Sequence, residues 1–157
     1  RAGRTDEGIE VVDMNEIISD FKLLRSQIIF EKNATILAAD LPKILIYKVP
    51  LLQTLHCVLD NAIKYSKPDV PPVIKVTAME KEGKWIIAIE DNGIGIEKAY
   101  YHKIFVIFQR LHNKDQYDGT GIGLALSKKH VDSWGGNIWV ESKVGKGTTV
   151  FFSIPKQ

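Results

Sequence analysis

Apolar residues recur at helical spacing in three stretches of the chain. Ile17, Phe21, Leu24 and Ile28 fall on one side of a run that predicts a helix over about 14–32, opened by Asp13 and Glu16 in a capping-box arrangement. Leu51, Leu55, Val58, Leu59 and Ile63 define the buried face of a second helix. Pro50 suits its first turn, where a missing N–H costs nothing, and the helix should end near Ser66, Lys67 and Pro68. Leu124, Leu126 and Val131 mark a third helix over 121–134, stopped by Gly135 and Gly136. Between these, the pattern shortens to strand-like runs: 9–12, then 34–41 and 43–47 parted by Pro42. Two hairpins follow, one joining 73–78 to 85–89 through a turn with Gly83, the other joining 137–141 to 148–154. Residues 97–110 predict one or two short helices and 111–118 a polar loop. Hairpins this tightly connected cannot be parallel crossovers. The expected fold is therefore α+β: a two-layer α/β sandwich with a mixed, largely antiparallel sheet and helices on one face.

At 157 residues the chain is long enough for one well-buried domain and too short for two. Residues 1–8 read as a charged lead-in and 9–157 as the folded unit. The chain opens at Arg1 without a methionine or a signal-like apolar segment, as a piece of a longer polypeptide would. No apolar run approaches the roughly 20 residues that span a bilayer. The expectation is a cytoplasmic domain that does not itself touch a membrane, whether or not its parent is membrane-anchored. Its 21 basic and 19 acidic residues nearly cancel, to a net +2. That balance argues against nucleic acid as a partner. The only cysteine, Cys57, has none to pair with inside the chain.

Three short segments carry candidate chemistry. Asp91-Asn92-Gly93-Ile94-Gly95 puts a carboxylate at a strand end before two glycines that allow close backbone approach to a ligand; it is also ordinary turn chemistry. A carboxylate there could accept from the exocyclic amine of adenine. Gly119, Gly121 and Gly123 alternate just before a helix, where backbone N–H groups can converge on phosphate or simply let helices pack closely. Their spacing matches neither the dinucleotide fingerprint nor the P-loop. Asn61 and Lys64 share a helix face and offer an amide oxygen to a hard cation and a charge to phosphate, or else form a solvated pair. Tyr65 fits an adenine face or the core equally well.

Taken in order, these segments resemble the ATP-binding catalytic (HATPase) domain of two-component sensor histidine kinases, within the GHKL superfamily. Residues 57–66 look like its N box, 91–96 its G1 box, 104–110 its F box, 119–126 its G2 box, and 145–148 its last glycine box. The resemblance covers roughly 11–155. It implies a Bergerat-type sandwich that binds ATP and Mg²⁺ under a lid. By that resemblance Asn61 holds Mg²⁺, Lys64 contacts phosphate, and Tyr65 contacts the base or ribose. Asp91 takes the adenine amine, Gly93, Gly95 and Ile96 line the base pocket, and Thr148 supports the acid. Phe105 and Phe108 anchor the lid, Arg110 reaches the terminal phosphate, and Gly119, Thr120, Gly121, Ile122, Gly123 and Leu124 wrap the phosphate chain. Asn61, Lys64 and Arg110 would be the catalytic set.

The implied activity is protein histidine kinase, donating the γ-phosphoryl group to a histidine on a separate dimerization domain, in a parent that is a homodimer and serves a response regulator. Residues 1–8 look like the tail of that preceding dimerization helix. His56, His102, His112 and His130 do not stand in the family's His-acid-Leu context, so this chain alone should bind nucleotide without phosphorylating itself. One N-box position departs from the pattern: Cys57 stands where a second Asn or an acid is common, and a thiol is a poor ligand for a hard cation. ATP-driven clamps of the same superfamily usually carry a glutamate base in the N box, and residues 57–61 contain none.

Overall fold

In the computed structural model, which describes residues 8–106 and 123–157, the apolar stripe of the second predicted helix is buried throughout, whereas Leu24 of the first and Leu126 of the third are exposed. The chain runs β1 (Ile9–Asp13), α1 (Met14–Leu24), α2 (Ser26–Lys32), β2 (Thr35–Ala38), β3 (Lys43–Tyr47) and α3 (Lys48–Lys64). It continues with β4 (Val73–Lys81), β5 (Lys84–Asp91), 3₁₀ turns at Lys98–Tyr100 and Lys103–Phe105, α4 (Ala125–Ser133), β6 (Ile138–Lys143) and β7 (Gly147–Pro155). Five strands form one sheet in the order β2-β4-β5-β7-β6, and β1 pairs with β3 in a small second sheet. Only the β2–β4 pairing of the large sheet is parallel. The sandwich is thus mixed and largely antiparallel, as the sequence implies.

α3 is the central helix. Leu51, Thr54, Leu55, Val58, Leu59, Ala62 and Ile63 make one buried stripe at three- and four-residue steps. That stripe packs with Ile74, Val76, Ile87, Ile89, Val150 and Phe152 from the covered face of the sheet. On β4 the alternation is clean, with Ile74 and Val76 buried and Lys75 and Thr77 in solvent. Across the other face, Trp139 and Phe151 are cross-strand partners and stack at 5.3 Å between ring centroids. The β4–β5 hairpin closes through Glu82 and Gly83, both at positive φ, the two-residue turn whose twist suits a hairpin.

Two expectations need correction, and one open alternative is decided. The helix predicted over 14–32 breaks at Arg25, whose φ of −108° and ψ of 21° leave the helical region. The break lets Arg25 form a two-point ion pair with Asp60 of α3, Nε to Oδ1 at 2.8 Å and a second nitrogen to Oδ2 at 3.0 Å. Of the two readings open for 34–47, two strands or one interrupted segment, the structure takes the first: β2 and β3 are separate strands and enter different sheets. Their parting is fixed by Asn15, which donates to Leu41 O and accepts from Leu41 N. The third helix starts at Ala125 rather than 121, because Gly123 stands at φ +69°, outside α geometry. The predicted loop 111–118 and the end of the 97–110 segment lie outside the described residues.

Candidate functional site

β5 ends at Asp91, paired with Ile74 of β4, and the chain then turns sharply beneath α3. Asn92 serves as a clasp: its side chain accepts from Val73 N at 2.9 Å and donates to Pro71 O at 3.2 Å. That leaves Asp91 as the acid facing the cleft. Its Oδ1 accepts from Gly93 N at 2.8 Å and from Thr148 N at 3.2 Å. Both bonds fall on one oxygen, and the carboxyl has a second to offer. Burial pushes its pKa up from 3.8 to about 6; the two backbone N–H bonds favour the anion and oppose the rise, while the charge of Glu90 adds to it.

The turn after Asp91 tolerates only glycine at its tight points. A Cβ on Gly93 would stand 2.5 Å from Tyr65 O, and one on Gly95, at φ +80°, would overlap Lys143 O. Backbone bonds fix the two approaches, Ile94 N to Tyr65 O at 3.0 Å and Gly145 N to Ile94 O at 2.8 Å. The G1 turn is therefore wedged between the end of α3 and the β6–β7 turn.

A hydroxyl network holds the opposite wall. Ser142 Oγ accepts from Ile96 N at 2.7 Å, donates to Gly147 O at 2.8 Å, and lies 2.7 Å from Thr148 Oγ1. With its one proton given to Gly147, Ser142 receives the proton of Thr148, so Thr148 Oγ1 keeps its lone pairs for a donor in the cleft. Tyr101 steadies the strand, its hydroxyl donating to Ser142 O and accepting from Ser142 N. Ser142 and Tyr101 carry no motif. Only the β6–β7 register, which sets Ser142 against Thr148, reveals them.

These parts enclose a single cleft lined by Asn61, Tyr65, Asp91, Gly95, Ile96, Leu124 and Thr148, all predicted from sequence, with Val58, Ala62, Ile94, Ile104 and Val150 as added apolar wall. About 500 Å³ of space lies between the lining atoms, including the open mouth. Gly93 is buried just behind the lining, against Asp91. Lys64 sits at the end of α3 with its ammonium 5.4 Å from the centroid of the Tyr65 ring. Phe105 packs against the core at the second 3₁₀ turn. Gly123 is not part of the lining but precedes Leu124, which is, and its carbonyl lies 3.4 Å from Cys57 Sγ. Phe108, Arg110, Gly119, Thr120, Gly121 and Ile122 lie outside the described residues.

The cleft is thus an apolar slot with two adjacent acceptors, Asp91 and Thr148, deep in it and an amide, Asn61, elsewhere on the lining. Such a slot takes a flat, largely apolar ring that carries a donor on one edge. Among the described residues no helix is long and apolar enough to cross a membrane.

Comparison with known proteins points the same way. A family model described as "Histidine kinase-, DNA gyrase B-, and HSP90-like ATPase" matches residues 47–157. Phytochrome-like protein Cph1 of Synechocystis is 40% identical over 143 residues, which is 91% of this chain and 19% of that protein. The catalytic domain of histidine kinase ThkA superposes with a TM-score of 0.79 at 26% identity, covering 94% of this chain and 95% of that one. Full-length ShkA in complex with AMPPNP gives the same TM-score and identity, over 94% of this chain and 31% of its own. The chain therefore spans about a fifth of the length of Cph1.

Proposed function

Because the chain belongs to the histidine kinase-, DNA gyrase B- and HSP90-like ATPase family, as the ATP-binding catalytic domain of a histidine kinase, we propose that it presents Mg²⁺-ATP to a histidine on a separate dimerization domain. One observation carries the reading: Asp91, Thr148 and Asn61 line the same cleft, with apolar walls between them. Two adjacent acceptors favour a ring with an amine on its edge, which adenine has.

In this reading Asp91 accepts from the adenine amine and Thr148 supports it. Gly93, Gly95 and Ile96 bring the G1 backbone against the base, and Tyr65 and Leu124 close its sides. Asn61 supplies a hard oxygen to Mg²⁺. The remaining ligands would come from phosphate and water, since among the described residues no group of three or more His, Cys, Asp or Glu converges as a metal site. The metal, when bound, neutralises charge on the phosphates. Lys64 and Arg110 add positive charge there, and Gly119, Thr120, Gly121, Ile122 and Gly123 contribute backbone N–H groups. Catalysis is then positioning and charge stabilisation while the imidazole nitrogen of the other domain attacks in line. The proposed partners follow: a histidine-bearing dimerization domain preceding this one, a second copy of the parent, and a response regulator.

The test is to mix the chain, radiolabelled ATP and a purified dimerization domain of its parent, then look for acid-labile phosphate on that domain. Transfer that stops with Asn61→Ala supports the proposal. Tight nucleotide binding without transfer would instead make the domain a nucleotide-sensing module.

A further inference from the structure

We infer that Cys57 is a positioning residue for the nucleotide cleft: its thiol, by donating to the Gly123 carbonyl, holds one peptide unit and thereby fixes Leu124 in the cleft wall. The inference rests on the nucleotide-binding reading above. Cys57 lies on α3 and Gly123 just before α4, 66 residues away, with Sγ 3.4 Å from the Gly123 oxygen. The other end of the same peptide unit, Leu124 N–H, donates to Ile104 O at 3.2 Å. A peptide unit is planar and rigid. Gripped by α3 at its carbonyl and by the second 3₁₀ turn at its N–H, it cannot rotate without giving up one of the bonds.

What the grip controls is Leu124. This residue is 1% exposed, lines the cleft beside Val58 and Ile104, and opens α4, with its carbonyl accepting from Lys128 N. It has no side-chain cap, so its placement depends on the peptide before it. Among the described residues nothing lies within 4 Å of a Cβ built on Gly123, and its φ of +69° is one that favours glycine. The thiol suits the donor role. Burial pushes its pKa up, the Ser127 hydroxyl acting the other way, so Cys57 keeps its proton at neutral pH. A protonated thiol aimed at a carbonyl is no ligand for Mg²⁺. The position that departs from the family pattern therefore acts on the apolar wall rather than on the metal.

The test titrates the full 157-residue chain with ADP and with ATP, each with and without Mg²⁺, for wild type, Cys57→Ala and Cys57→Ser. Hydrogen exchange at the Leu124 amide is followed in the ligand-free proteins. Losing the donor should weaken all four affinities by the same factor, about fivefold, and speed Leu124 exchange. Serine, which keeps a donor, should restore affinity to within about twofold. Unchanged affinity and exchange in Cys57→Ala would overturn the inference. So would a loss confined to Mg²⁺-ATP, which would make the residue act on the metal, or a folded Cys57→Ser as impaired as the alanine variant. If wild type binds neither nucleotide, the functional reading fails, while Leu124 exchange still decides whether the grip exists.

Discussion

The backbone N–H of Thr148 donates to Oδ1 of Asp91 across 3.2 Å, tying the last strand to the end of β5 over 57 residues of sequence. That bond and the one from Gly93 hold a buried carboxyl that would otherwise resist ionisation. Its titration is therefore a direct reporter of the site.

In the ligand-free chain the Asp91 carboxyl carbon should titrate in NMR with a midpoint near pH 6, far above an ordinary aspartate. An amine donor in the cleft favours the anion, so ligand binding must lower that midpoint. Adenosine affinity should accordingly rise with pH up to about 6 and level off above it. A midpoint near 4 would show that the carboxyl is hydrated rather than enclosed.

His56 has the opposite linkage. Its ring meets Phe21 edge-on at 5.1 Å, and its buried Nε2 has no hydrogen-bond partner among the described residues. Burial, then the charge of Arg25, lowers its pKa from 6.5, against the pull of Asp60 and Asp20. A histidine held neutral by folding but free to charge when unfolded loses stability as pH falls below 6.5. Urea midpoints measured from pH 7 to 5 should therefore fall more in wild type than in His56→Phe, which cannot titrate. Parallel curves for the two proteins would contradict the assignment.

Two glycines at nearly the same φ separate strain from crowding. Gly83 stands at +79° with nothing among the described residues within 4 Å of a built Cβ, so Gly83→Ala should cost only the backbone penalty, about 1 kcal/mol. Gly95 stands at +80° against the Lys143 carbonyl, so Gly95→Ala should cost clearly more, about 3 kcal/mol, and weaken nucleotide binding as the G1 turn shifts. Urea denaturation of both variants checks the ranking, and equal costs would refute the close approach.

Ser142→Ala should leave Ile96 N–H without its partner and release Thr148, at a cost of about 1–3 kcal/mol. Adenosine affinity should drop with it. A variant as stable as wild type would mean that water replaces the hydroxyl at no cost.

The site was legible where chemistry is local. An aspartate at a strand end before Gly93 and Gly95, and Asn61 on the face of an apolar helix, announce themselves because turn geometry and helical period are written in adjacent residues. The break at Arg25 was not legible, since the apolar spacing runs on through it and only the distant Asp60 explains the departure. Pro42 marks the parting of β2 from β3, but their entry into different sheets was not legible, since it accompanies the contact of Asn15 with Leu41. Ser142 and Tyr101 became functional candidates only through strand register. Cys57 was legible as a departure, but its partner Gly123 is a contact between α3 and the start of α4 that no local pattern encodes.

The central claim is that Asp91 reads the adenine amine. Calorimetric titration of wild type and Asp91→Asn with ATP tests it most directly. Asparagine can still accept from Gly93 and Thr148 while removing the charge whose burial, through a shift from 3.8 to about 6, costs roughly 3 kcal/mol at neutral pH. The variant should therefore be at least as stable as wild type, yet bind ATP at least tenfold more weakly, because an amide nitrogen would meet the amine donor to donor. Equal affinity in the two proteins, or no heat of binding in wild type, would contradict the account.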